Sequence, residues 1–62
     1  MNLKPLRMAI GFTQKQIATE LKVGQSAVSM WENGASKPRA DTLKKLADLL
    51  HCTVDELLEE AG

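Results

Sequence analysis

The sequence predicts an all-α fold in which five short helices surround one core, and three observations predict it. Apolar residues recur at three- and four-residue spacings, which is the spacing of one face of a helix. Only 4 of the 62 residues are glycine and 2 are proline, and no alternating run of β-branched residues is long enough to indicate a β-strand. Two Thr-x-x-Gln or Thr-x-x-Glu patterns are typical of helix N-termini. A chain this short predicts a single domain over residues 1–62.

Helix 1 is expected near the N-terminus of the chain. Leu3, Leu6 and Ile10 are spaced to share one face of a helix and are predicted to point at the core. Pro5 lies in the first turn, where its missing N–H costs little. Gly11 is expected just beyond the last helical residue, the position that glycine commonly takes.

Helices 2 and 3 follow with clear boundaries. Helix 2 begins at Thr13, because the Thr13 hydroxyl and the Gln16 side chain can form a capping box. Helix 3 fits residues 25–33 and ends at the C-capping pair Asn33-Gly34. The short apolar face of helix 2 consists of Ile17, Ala18 and Leu21.

Helices 4 and 5 complete the predicted bundle after a loop at residues 34–39. Helix 4 spans about residues 40–50, and helix 5 opens with a second capping box formed by Thr53 and Glu56. The residues predicted to face inward are Leu43, Leu46, Ala47 and Leu50 in helix 4 and Val54, Leu57 and Leu58 in helix 5.

Residues 13–34 have the spacing of a helix-turn-helix, with two short helices joined by a tight turn. Projected at about 100° per residue, Ala27, Val28 and Trp31 fall on one side of helix 3. The opposite side is uncharged and bears amides and hydroxyls, which can both donate to and accept from base edges in the DNA major groove. A glutamine amide can pair with adenine, and a methionine can lie against a thymine methyl. The residues on this side are Gln25, Ser26, Ser29, Met30 and Asn33.

Charge is unevenly distributed although the net charge is zero. Residues 1–39 carry a net charge of +4 and residues 40–62 a net charge of −4. The basic part favours an anionic partner, whereas the acidic run from Asp55 to Glu60 would repel DNA and orient the domain, or bind a basic partner.

Composition also excludes several classes of site. The one cysteine, Cys52, permits no internal disulfide, and with its neighbour His51 it cannot complete a tetrahedral zinc site. No apolar run is long enough to span a bilayer, and residues 1–12 lack a signal-peptide core, so we expect a cytoplasmic protein. A phosphate-binding loop and a catalytic constellation are both lacking, so we expect neither an enzyme nor a cofactor.

The chain resembles the Cro/CI-type (XRE-like, lambda-repressor-like) helix-turn-helix family over nearly its whole length, from Leu6 to Leu58. The resemblance implies a compact five-helix DNA-binding domain that usually binds operators as a dimer. The residues that carry it are Thr13-Gln14-Lys15-Gln16-Ile17-Ala18, Val23, Val28-Ser29-Met30-Trp31-Glu32-Asn33-Gly34 and Lys37-Pro38.

The resemblance also implies roles for individual residues. Gln14 would touch a phosphate and brace the recognition helix, which is helix 3. Arg7 and Glu32 would form an internal ion pair between helix 1 and the end of helix 3. The base-facing residues would be Gln25, Ser26, Ser29 and Met30. Asn33 and Gly34 would meet phosphates, and Lys37 and Arg39 would present cations to the DNA backbone or the minor groove.

Two residues depart from the family pattern in the turn before helix 3. Lys22 stands where the family often has a left-handed glycine, which would cost about 1 kcal/mol if the φ of Lys22 is positive. Gly24 stands where a serine or threonine usually caps the recognition helix. The flexible residue therefore lies two positions further along, which would allow a differently built turn.

These observations predict a transcriptional regulator, with repression by operator occupancy as the expected mode. A palindromic operator and a homodimer are expected, with the dimer contact at the C-terminal helix or at the turn between helices 4 and 5. The alternative is an antitoxin-type or other interaction module of the same fold, whose acidic face binds a toxin or another protein and whose DNA binding is autoregulatory.

Overall fold

A computed structural model describes residues 1–59 and confirms the all-α prediction. No strand occurs within these residues, and the predicted boundaries hold to within about a residue. No helix within residues 1–59 is long and apolar enough to cross a membrane. The helices are α1 (Leu3–Ala9), α2 (Gln14–Leu21), α3 (Gln25–Asn33), α4 (Ala40–Leu49) and α5 (Val54–Leu58).

The five helices share one core, to which each contributes. The most extensive packing is between α2 and α3, and the small Ala18 in α2 is 4% exposed. The residues that form the core within residues 1–59 are all apolar, so the core is held by apolar burial, about 1.5–3 kcal/mol for each large aliphatic side chain. The core residues are Leu3, Ile17, Ala18, Val28, Trp31, Leu46, Ala47, Leu50 and Leu57.

Both predicted capping boxes are confirmed. The Thr13 hydroxyl accepts from the Gln16 backbone N–H at 3.0 Å, and the Gln16 side chain accepts from the Thr13 N–H at 2.8 Å. Thr53 and Glu56 repeat the arrangement at 3.0 and 3.1 Å. Both boxes satisfy N–H groups that would otherwise lack a partner at the start of α2 and α5.

Two apolar residues predicted to face the core are exposed instead. Ile10 is 39% exposed, because α1 ends at Ala9 and Ile10 follows it with a non-helical backbone. Leu58 is 49% exposed, because Leu57 takes the inward position and Leu58 lies about 100° further round the axis at the last residue of a five-residue helix.

In the turn between α2 and α3, the left-handed residue is Lys22, at the position where the family often has a left-handed glycine. Lys22 has φ 58° and ψ 43°, and the next residue, Val23, donates to the Ala18 carbonyl at 3.0 Å. Gly24 is extended, with φ −73° and ψ 150°. The expectation that the glycine allows a different turn is therefore wrong, because the backbone bonds to the end of α2 hold Lys22 in the left-handed conformation despite its side chain.

Candidate nucleic-acid interface

The recognition helix α3 has a buried side and an exposed polar side. Val28 is fully buried and Trp31 is 7% exposed, so these two side chains attach the helix to the core. The exposed polar side of α3 consists of uncharged side chains, and the one charged residue of the helix, Glu32, is paired with Arg7, so this side offers hydrogen-bonding groups and an apolar surface. On this side Gln25, Ser26, Met30 and Asn33 are exposed and Ser29 is half-buried.

Three polar side chains from three helices meet at one end of α3. The Arg7 Nε group donates to Glu32 Oε2 at 2.6 Å, and Arg7 Nη2 donates to Glu32 Oε1 at 3.4 Å. Gln14 Nε2 donates to the same Glu32 Oε1 at 2.9 Å. The contact joins α1, the first residue of α2 and the last turn of α3, so it fixes the orientation of α3 relative to both.

The Arg7–Glu32–Gln14 contact is largely shielded from water. The Arg7 and Glu32 side chains are 12% and 6% exposed, and Arg7 Nη1 also donates to the Phe12 carbonyl at 2.8 Å. Burial alone would raise the pKa of Glu32, but the hydrogen bonds from Arg7 and Gln14 and the charges of Arg7 and Lys4 outweigh it. The pKa of Glu32 is therefore lower than its ordinary value of 4.5, and the carboxylate is ionised at neutral pH. The resemblance implied that Gln14 braces the recognition helix, but the sequence did not indicate that it would do so by a direct bond to Glu32.

The segment after α3 is held by its own hydrogen bonds. Gly34 is left-handed, with φ 83°, and the Ala35 N–H donates to both the Met30 carbonyl at 2.9 Å and Asn33 Oδ1 at 3.1 Å. Because the Asn33 oxygen is engaged in this way, its Nδ2 group is left as a donor for a phosphate. The helical projection placed Asn33 on the polar side of α3 and the resemblance implied a phosphate contact there, but the bond to Ala35 was not predicted.

The loop that follows presents two cations around a buried proline. Lys37 and Arg39 are exposed, while Pro38 between them is buried. The buried ring anchors the loop and leaves both charged side chains in water, where they can reach an anion.

The opposite end of the chain is acidic. Asp55, Glu56 and Glu59 are exposed, and Glu60 lies outside the described residues. Cys52 is half-buried, and both burial and the charge of Glu56 raise the pKa of its thiol. A raised pKa keeps the Cys52 thiol protonated at neutral pH.

The comparisons with known proteins agree with this geometry. A helix-turn-helix family model matches residues 3–57. The chain belongs to the helix-turn-helix family. This membership confirms the resemblance to Cro/CI-type domains and the expected fold.

Several curated proteins are similar to this helix-turn-helix chain. The HTH-type transcriptional activator BcrR of Enterococcus faecalis is 39% identical over 56 residues, which are 90% of this chain and 28% of that protein. The HTH-type transcriptional regulator ImmR of Bacillus subtilis (strain 168) is 39% identical over 56 residues, 90% of this chain and 44% of that protein. The cryptic phage CTXphi transcriptional repressor RstR of Vibrio cholerae serotype O1 (strain ATCC 39315 / El Tor Inaba N16961) is 37% identical over 51 residues, 82% of this chain and 46% of that protein. The chain thus spans less than half the length of these relatives, and no solved structure matches it significantly.

Proposed function

We propose that this helix-turn-helix chain is a DNA-binding transcriptional regulator and not an enzyme. The observation that carries the proposal is the uncharged, amide- and hydroxyl-bearing side of α3, which is exposed while the other side is buried in the core. Such groups match the donors and acceptors of the major groove. The similar proteins are all named as transcriptional regulators, activators or repressors, which supports the same class.

In the proposed complex, α3 enters the major groove and its neighbours hold the DNA backbone. Phosphate contacts set the position of the protein, and base contacts carry the sequence preference. The Arg7–Glu32 pair keeps α3 in register with the other helices. The base-reading residues are Gln25, Ser26, Ser29 and Met30, and the backbone-contacting residues are Gln14, Asn33, Lys37 and Arg39.

The proposed mode of action is repression by occupancy of an operator. Occupancy requires only a DNA contact, for which the described residues offer a surface, whereas activation requires a second contact with the transcription machinery. The similar proteins include one named as an activator and one named as a repressor, so both modes occur among close sequences.

The proposed operator is palindromic and is bound by a homodimer in the cytoplasm. A single domain of this kind covers about 600–1,000 Å² of DNA, which is little for specific binding, and a dimer doubles that area. Two copies related by a two-fold axis would read half-sites about one helical turn apart. The exposed Leu58 supports a dimer contact at α5, because it places an apolar side chain on the surface there.

Selection of bound sequences from random DNA duplexes, followed by a salt titration of the best duplex, tests the proposal. We expect an enriched palindromic motif and a logarithm of the binding constant that falls linearly with the logarithm of salt concentration. The double variant Gln25→Ala/Ser26→Ala should lose the motif, whereas the control Lys44→Ala/Lys45→Ala, which alters exposed residues of α4, should keep it. Absence of duplex binding at low ionic strength would contradict the proposal. If the protein binds a toxin and its DNA binding shows no sequence preference, the interaction module is favoured.

A further inference from the structure

Met30 is the apolar exception on the polar side of α3. Its side chain is 42% exposed, and its neighbours Ser26 and Asn33 are exposed polar residues. At about 100° per residue, Met30 lies about 40° from Ser26 and about 60° from Asn33 around the helix axis. Met30 therefore belongs to the side of α3 that faces away from the core.

The packing of α3 gives Met30 no place in the core. Val28 and Trp31 provide the buried contacts, and Met30 is absent from the half-buried apolar residues packed around them. The Met30 backbone is nevertheless firmly held, because its carbonyl accepts from the Ala35 and Ser36 N–H groups at 2.9 and 3.3 Å. A flexible apolar side chain thus projects from a fixed backbone position. Single exposed apolar residues are common on proteins, so exposure alone does not indicate a contact. The position of Met30 on the polar side of the recognition helix does.

The chemistry of the major groove restricts what Met30 can contact favourably. A thioether cannot donate a hydrogen bond and accepts only weakly, so a polar base edge pressed against it would lose water without compensation. The C5-methyl of thymine is the apolar group that a standard base pair presents in the major groove. We propose that Met30 packs against a thymine methyl and thereby specifies thymine at one position of each operator half-site. This inference rests on the proposed DNA-binding function.

Replacement of thymidine by deoxyuridine, one position at a time, in a duplex selected by the wild-type protein tests the inference. Uracil keeps every hydrogen-bonding group of thymine and lacks only the methyl. We expect the wild-type affinity to fall about fourfold at one thymine of each half-site, the change expected for one apolar carbon no longer buried. Met30→Ala should bind the thymine and uracil duplexes equally at that position, whereas Met30→Leu, which keeps an apolar side chain, should still discriminate.

Met8 supplies the matched control, because it is also an exposed methionine, at 61%, but lies on α1. Met8→Ala should keep the wild-type preference for thymine over uracil. Discrimination retained by Met30→Ala, or lost equally in Met8→Ala, would overturn the inference, as would a selected duplex without any methyl-sensitive thymine. A change in self-association of Met30→Ala, with thymine discrimination retained, would instead assign Met30 to a protein contact. If the wild-type protein selects no duplex, the proposed function fails and this inference fails with it.

Discussion

Replacement of Glu32 by glutamine should destabilise the fold, because Glu32 is the shared acceptor of the Arg7–Glu32–Gln14 contact. Its carboxylate takes hydrogen bonds of 2.6 and 3.4 Å from Arg7 and 2.9 Å from Gln14, and its side chain is 6% exposed. Glutamine keeps the shape but removes the charge that faces the Arg7 guanidinium. A hydrogen bond to a charged group contributes about 1.5–3 kcal/mol, and Arg7 would keep a poorly solvated charge, so we expect a loss of about 2–3 kcal/mol. In a domain of this size, that loss lowers Tm by about 10–20 °C.

The effect of Glu32→Gln should also depend on pH. The pKa of Glu32 is lower in the folded protein than its ordinary value of 4.5, so ionised Glu32 stabilises the fold at neutral pH. That contribution is fully present above the unfolded pKa and is lost as the pH falls through the lower, folded pKa. The difference in free energy of unfolding between the wild type and Glu32→Gln should therefore be largest at neutral pH and should shrink below about pH 4.

Urea denaturation followed by circular dichroism, at neutral pH and at about pH 3, measures both effects. Glu20→Gln is the matched control, because Glu20 is an exposed carboxylate on α2, and its replacement should change the stability by less than about 0.5 kcal/mol. Equal stability of Glu32→Gln and the wild type at neutral pH, or a difference that stays constant into the acid range, would refute the reasoning.

The remaining predictions concern the turn and the proposed DNA contacts. Lys22→Gly should stabilise the protein by about 1 kcal/mol, because the φ of Lys22 is 58°, and a lower urea midpoint would contradict this. Gln25→Ala should lose about 1–3 kcal/mol of binding free energy at one operator position and should relax the base preference there, as a base-substitution series would show. An equal loss of binding free energy at every position would argue against base reading. Arg39→Ala should weaken binding to all sequences alike and reduce the slope of the salt titration by about 1, so an unchanged slope would exclude a phosphate contact.

Features of this fold that depend on neighbouring residues could be predicted from the sequence. The capping boxes at Thr13 and Thr53 need only a partner three residues away, and the buried positions of α3 follow from the helical period. Ile10 and Leu58 were misassigned because each lies at a helix terminus, where one residue more or less of helix decides the direction of the side chain.

Features that depend on tertiary contacts could not be predicted in the same way. Periodicity indicated the exposed side of α3, but the bond from Gln14 to Glu32 arises only when α2 and α3 pack together. The left-handed conformation of Lys22 is a local feature, held by bonds to the preceding turn of α2, and only the family resemblance marked this position because lysine itself disfavours the conformation. The roles of Lys37 and Arg39 still rest on the family resemblance and their exposure, and the proposed contacts of both remain predictions.

A nuclear magnetic resonance titration of the ¹⁵N-labelled protein with its selected duplex tests the central claim most directly, since it locates the DNA on the protein surface residue by residue. We expect the amide shifts to change most at Gln14, along residues 25–34 and at Lys37 and Arg39, with little change in the acidic segment 54–59. Shift changes concentrated in residues 54–59, with the exposed side of α3 unaffected, would contradict it.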